Sequence, residues 1–230
     1  MKVIRVAQLD LPVDAGALQS EVAALPDRWN PHFQTNHYDG EWTVLPLRTI
    51  DGRLDERLPF PLDGGPATYA ATPLLDHCPE IRRFLNALGC PVMSARLLNL
   101  KRGAVIKPHQ DLGLAYEQGE ARVHVPIFTN PEVDFVIDRQ RVVMEPGSCW
   151  YINANLTHSV DNWGATDRIH LVVDCTVDDW LRTQFAAARV WYSRPDPAEL
   201  RFRIARLREM DAPAAPALIA ELEAELADAE

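Results

Sequence analysis

The chain has no run of about 18 apolar residues, the length a membrane-spanning helix needs, and so none is expected. Cysteine is sparse and scattered: Cys78, Cys90, Cys149 and Cys175 form no CxxC pair, which argues against a zinc ribbon and a disulfide framework. Basic residues are in deficit, 23 Lys and Arg against 33 Asp and Glu for a net charge of -10. Nothing forms the basic stripe that phosphate binding requires, so neither nucleic acid nor an anionic membrane is expected as a partner. Met1 to Leu11 lacks the apolar core and small-residue cleavage site of a signal peptide. There is no internal repeat. These absences together point to a reduced, cytoplasmic protein. What is present is 47% hydrophobic residues in 230, enough to bury the core of one catalytic domain.

Lys2 to Leu9 has the pattern of an edge strand, and Val13 to Leu25 carries apolar residues at helical spacing until Pro26 stops it. Asp51 to Ala71 is dense in Pro, Gly and charge, the composition of an irregular surface loop. Pro79 to Leu88 reads as a short helix ended by Gly89. Beyond Pro91 the period shortens. Strands are predicted over 94–100, 105–108, 123–129, 133–137, 141–144, 149–153 and 168–175, separated by turn signals such as Asn130-Pro131 and Pro146-Gly147. That spacing favours an antiparallel sandwich or jelly roll, mainly β with flanking helices. Leu200 to Met210 and Ala217 to Ala229 return to helical pattern around Pro213-Ala214-Ala215-Pro216. The expected organisation is a β-rich domain over 1–180 and a helical extension over 181–230 packed on the barrel.

The chemistry is concentrated between Lys107 and Asp174. His109 and Asp111 lie two apart on an extended segment and therefore share a face. His158, from an antiparallel neighbour, completes a 2-His-1-carboxylate set that leaves three adjacent positions of an octahedral ion open. Three open positions suit a bidentate oxo-acid and one molecule of oxygen. Arg168 follows after a tight turn, and a guanidinium binds a carboxylate through two parallel hydrogen bonds while keeping its charge. Arg122 and His124 share a strand face and offer a second anion-binding pair, or else are solvated strand positions or include a satisfied core histidine. Polar pairs two apart also occur on exposed strands, and such ligands do not select their metal, so a hydrolytic zinc or manganese site stays open. His32, His37, His77 and His170 read as structural, while Trp150, Tyr151 and Trp163 pack the core or line a cavity mouth.

An ordered set of motifs carries a family resemblance. It runs from His32-Phe33 through Gly40-Glu41-Trp42, Pro46-Leu47-Arg48, Arg96-Leu97-Leu98, Lys107-Pro108-His109-Gln110-Asp111, Arg122-Val123-His124-Val125-Pro126, His158-Ser159-Val160-Asp161-Asn162 and Arg168-Ile169-His170-Leu171 to Asp178-Asp179-Trp180. The chain thereby resembles the bacterial aspartyl/asparaginyl β-hydroxylase-like proteins, Fe(II)- and 2-oxoglutarate-dependent dioxygenases with free proline cis-hydroxylases among their relatives. The resemblance implies a double-stranded β-helix, a cupin-like jelly roll, with Fe(II) on His109, Asp111 and His158. It further implies that Arg168 grips the distal carboxylate of 2-oxoglutarate and that Arg122 and His124 help bind the co-substrate or substrate carboxylate. With O2 as third reactant, the implied reaction hydroxylates an unactivated C–H bond of an amino acid or a peptidyl Asp/Asn-type substrate, releasing succinate and CO2. Some eukaryotic members that act on proteins lack the aspartate ligand. Asp111 therefore favours the bacterial branch with small substrates, and it argues against halogenase chemistry. A free L-amino-acid (proline-type) cis-hydroxylase and a non-catalytic jelly-roll module binding 2-oxoglutarate are the other readings.

Overall fold

The structure is a computed structural model describing residues 2–26, 29–55, 61, 65, 67–194, 196–210 and 213–229; the loop expected over 51–71 lies partly outside the described residues. The N-terminal part comprises β1 (Ile4–Leu9), α1 (Ala15–Ala23), β2 (Asn30–Pro31), β3 (Tyr38–Asp39), β4 (Trp42–Ile50), β5 (Tyr69–Ala71) and α2 (Pro79–Ala87). The β-rich stretch contains β6 (Val92–Leu100), β7 (Val105–His109), β8 (Glu120–Phe128), β9 (Val133–Ile137) and β10 (Gln140–Arg141). It continues with β11 (Cys149–Ile152), β12 (His158–Asn162) and β13 (Arg168–Thr176), and α3 (Asp179–Ala187), β14 (Arg189–Tyr192), α4 (Pro197–Glu209) and α5 (Ala215–Ala229) follow.

Two antiparallel sheets form the expected jelly roll. The larger has the order β14-β1-β11-β8-β13-β6-β4-β2 with β5 on β4, and the smaller is β10-β9-β12-β7-β3. Strand parity divides the side chains of the larger sheet between two cores. Odd-numbered residues of β8 and β13, such as Val123, Val125, Leu171 and Val173, pack on one face with Leu18 and Val22 of α1, Ile81 and Phe84 of α2 and Leu181 of α3. Leu98, Leu100, Trp150, Ile152 and Val172 join Ile106, Phe135, Ile137 and Val160 of the smaller sheet in the second core. Each fully buried aliphatic contributes about 1.5–3 kcal/mol.

Three local expectations change. β1 is not an edge strand, because β14 returns after α3 and covers its free side. Gly89 does not cap α2 in a left-handed conformation: the cap is Leu88 at φ -71°, ψ 120°. A Cβ at Gly89 would instead stand 2.6 Å from Cδ1 of Trp180, so the indole requires the glycine. Of the strand expected over 141–144, only Arg141 lies in β10, with the Val142 N–H reaching the Phe135 carbonyl at 2.8 Å, and β12, absent from the predicted strands, is a full member of the smaller sheet.

Val3–Trp191 forms one compact unit and Tyr192–Glu230 another. In the second, α4 and α5 bury Leu200, Ile204 and Leu222 against each other, and Arg208 binds Glu223 at 2.6 Å. Among the described residues, no helix is long and apolar enough to cross a membrane.

Candidate active site

His109 ends β7 and His158 begins β12, and the two are directly paired in the antiparallel register. Their ring centroids are 4.2 Å apart. Asp111 follows β7 in an extension whose backbone N–H donates to the Ala154 carbonyl at 2.8 Å, and its Oδ1 lies 3.9 Å from His109 Nε2. One ligand atom from each of the three residues falls within 4.8 Å of the others.

The tautomers are set by the backbone. His109 Nδ1 lies 2.8 Å from the Lys107 carbonyl and His158 Nδ1 lies 3.0 Å from that of Leu156. A carbonyl only accepts, so each Nδ1 carries the proton and each Nε2 presents its lone pair. Burial, then His109, pushes His158 down to about 4, keeping it neutral and ready to ligate. Two freed imidazole nitrogens and a carboxylate on one side of the ion fit a divalent transition metal such as Fe(II).

Behind the triad, Asp111 Oδ2 accepts from Arg122, whose Nε and second terminal nitrogen bind Asp174 at 2.7 and 3.1 Å. Asp174 also accepts from Ser94 at 2.8 Å and Arg96 at 3.2 Å. The register explains the cluster: Asp174 pairs with Arg122, while Val172 pairs with both His124 and Arg96. Burial opposes the charge on Asp174, but Arg122 and Arg96 outweigh it and hold its carboxyl well below the usual range. Arg122, expected on a co-substrate or substrate carboxylate, is thus already engaged by two carboxylates of the chain.

Arg168 is placed differently. It opens β13 with 2% exposure, and among the described residues no carboxylate pairs with it. Its polar partner is His170 Nδ1 at 2.9 Å, and its guanidinium carbon stands 5.6 Å over the Phe135 ring. Its Nε is buried without a partner, as is Nε2 of His124. Burial alone pushes Arg168 down to about 9. A guanidinium in that state leaves an anion unprovided for.

Reading the sequence missed several residues here. His32, taken as structural, stacks on Trp42 at 3.6 Å, and its charge state responds to Arg96, Asp111, Arg122 and His109. His37 lies 5.1 Å from the His109 ring with a buried, unpartnered Nδ1. Asp174 carried a readable signal, an acid inside an apolar strand at the parity of Arg168. Beyond Asp111, Leu112 is exposed and the Tyr116 backbone N–H donates to Tyr151 Oη at 2.9 Å.

Over 165 residues the chain is 28% identical to L-proline cis-3-hydroxylase 1 of Streptomyces sp, covering 69% of this chain and 56% of that protein. It is 28% identical over 137 residues to L-proline cis-4-hydroxylase of Rhizobium meliloti, covering 59% and 48%. The chain spans about half the length of these curated relatives. HygX from Streptomyces hygroscopicus is a solved structure it resembles at 12% identity and TM-score 0.48, covering 77% of this chain and 84% of that one. Residues 14–177 match the aspartyl/asparaginyl β-hydroxylase pattern, and the chain belongs to that family.

Proposed function

We propose that the protein is an Fe(II)- and 2-oxoglutarate-dependent dioxygenase that hydroxylates a free amino acid, with L-proline the first candidate. The observation that carries this reading is the combination of a preorganised His109, Asp111, His158 set with a buried Arg168 that has no carboxylate partner among the described residues. The names of the proline hydroxylase relatives support the substrate class, and Asp111 agrees with it.

His109 and His158 would hold the metal through Nε2, and Asp111 through the carboxylate that Arg122 steadies from behind. When bound, Fe(II) and 2-oxoglutarate supply the chemistry that uses O2 to convert a C–H into a C–OH with release of succinate and CO2. The chain's contribution is positional. Arg168 anchors the distal carboxylate of the oxo-acid, and Phe135, Trp150 and Leu98 keep water from the inner wall. Small-molecule partners fit this wall, and four buried free thiols fit a reducing, cytoplasmic setting.

The test is anaerobic addition of Fe(II) and then 2-oxoglutarate to metal-free protein, watching for the visible charge-transfer band of the chelate. The band should form in the wild type and weaken in Arg168→Ala. Succinate release should then respond to free proline or another free amino acid more than to Asp- or Asn-containing peptides, and Asp111→Ala or His158→Ala should abolish it in folded protein. No band in protein that binds another divalent ion tightly would leave a hydrolytic or purely binding jelly roll.

A further inference from the structure

The cluster of Arg168, His170 and His124 has an internal logic of protons. All three side chains are on the inner face of the larger sheet, with exposures of 2%, 2% and 4%. A guanidinium has donors only, and one of its terminal nitrogens is 2.9 Å from His170 Nδ1. That nitrogen must be a bare acceptor, so the single proton of a neutral His170 is on Nε2. His124 Nδ1 stands 3.3 Å from the same His170 nitrogen. Two bare nitrogens would repel at that distance, so His124 carries its proton on Nδ1, and its buried, unpartnered Nε2 is the lone pair. Burial, then Arg168, holds both imidazoles well below their ordinary range, so each has one proton to place.

The cluster also borders free space. Arg168 and His170 line one cavity of about 420 Å³ with Thr129, Phe135, Val142 and Met144. Arg122 and Arg96 are fixed by Asp174, whereas Arg168 depends on an imidazole for its orientation. Phe135 covers the guanidinium at 5.6 Å and borders His124 at 5.9 Å between ring centroids, so one face of each group is apolar.

From this geometry we infer that His170 is a positioning residue for the oxo-acid: its Nδ1 aims the Arg168 guanidinium, and it dictates which nitrogen of His124 bears the proton. The inference rests on the reading of Arg168 as the oxo-acid anchor. It gives His170 a task that packing alone would not need, because an apolar side chain of similar volume would fill the same space.

The experiment compares His170→Leu, His170→Gln and Arg168→Ala, measuring the Kd of 2-oxoglutarate by anaerobic calorimetry on Fe(II)-loaded protein beside the Fe(II) affinity itself. His170→Leu should weaken 2-oxoglutarate binding by roughly 10- to 100-fold, the effect of one hydrogen bond to a charged group, with Fe(II) affinity kept. His170→Gln, which restores an acceptor, should recover most of it. In turnover, the KM for 2-oxoglutarate should rise in His170→Leu with kcat at saturation retained. Wild-type binding in His170→Leu alongside a weakened Arg168→Ala overturns the inference and leaves the anchor standing. Wild-type binding in Arg168→Ala overturns the anchor, and the inference with it. A measurement independent of variant folding is the long-range 1H–15N spectrum of histidine-labelled wild-type protein. An unprotonated Nδ1 at His170 supports the assignment, and a protonated one overturns it.

Discussion

Asp174→Asn isolates the charge network behind the triad while preserving its shape. Asp174 is fully buried; its Oδ2 accepts from Ser94 at 2.8 Å, Arg122 at 3.1 Å and Arg96 at 3.2 Å, and its Oδ1 accepts from Arg122 Nε at 2.7 Å. A carboxamide has one acceptor oxygen. Placed at Oδ2 it keeps three contacts but sets its NH2 against the Nε–H of Arg122, and in the other orientation the NH2 meets two guanidinium donors and a Ser94 hydroxyl that can turn to accept. In both cases Arg96 loses the only carboxylate it has among the described residues. Breaking a buried pair while leaving the cation in place costs about 3–5 kcal/mol. Against a typical total of about 5–15 kcal/mol that is a large fraction. Arg122 also steadies Asp111, so metal affinity should fall by roughly 10- to 100-fold, the usual effect of losing support behind a ligand.

Urea unfolding of metal-free protein reads the stability, with the m-value confirming that the same surface is exposed, and a metal titration reads the second effect. The pH dependence carries its own sign. The folded carboxyl titrates below its ordinary 3.8, so its stabilisation is present above that value and lost as pH falls through the folded value. The difference between Asp174→Asn and wild type should therefore be flat from about pH 5 to 8 and shrink only below about pH 4. A loss under about 1 kcal/mol, with unchanged m and metal affinity, would refute the reasoning.

Two further outcomes follow from packing and burial. Gly89→Ala places a Cβ 2.6 Å from the Trp180 ring and should destabilise by about 1–3 kcal/mol in thermal unfolding, whereas Gly16→Ala in α1, whose nearest neighbour is 3.8 Å away, should be neutral or slightly stabilising. His32, pushed down to about 3 by burial and then Arg96, and His124 and His170, also held low by burial, are neutral when folded. Their contribution is complete above the unfolded value of 6.5 and is lost as pH falls toward the folded values, at up to about 1.4 kcal/mol per pH unit for each. Urea midpoints at pH 7.5, 6 and 5 test this, and an unchanged midpoint would count against it.

The β-rich core and the proximity of His109, Asp111 and His158 were legible because both depend on short-range pattern. His109 and Asp111 share a face through alternation alone, and the apolar runs marked most of β6 to β13. β12 escaped because it carries one apolar residue, Val160, among His158, Ser159, Asp161 and Asn162, and its membership comes from pairing with β9 and β7. Gly89 was legible as a special position but not for its reason, since Trp180 approaches it from far along the chain. β1 could not be distinguished from an edge strand by its own residues, because its cover, β14, is contributed by the other end of the same unit.

The roles of the arginines required register as well as parity. Alternation places Arg96, Arg122, Arg168 and Asp174 on inner faces, but which acid meets which base depends on how β6, β8 and β13 slide against one another. With the register known, charge accounting distinguishes them. Asp174 is shared by Arg96 and Arg122, and Asp111 takes the remaining contact of Arg122. Arg168 is left over, with an imidazole as its nearest polar neighbour and an unpartnered Nε. A buried cation without a counter-ion is costly unless an anion arrives from outside. The same elimination explains why Arg122, although its strand position suits anion binding, is engaged by Asp111 and Asp174, while Arg168, alone among these three inward-facing arginines, has no carboxylate among the described residues; under the proposed function, the oxo-acid would supply one.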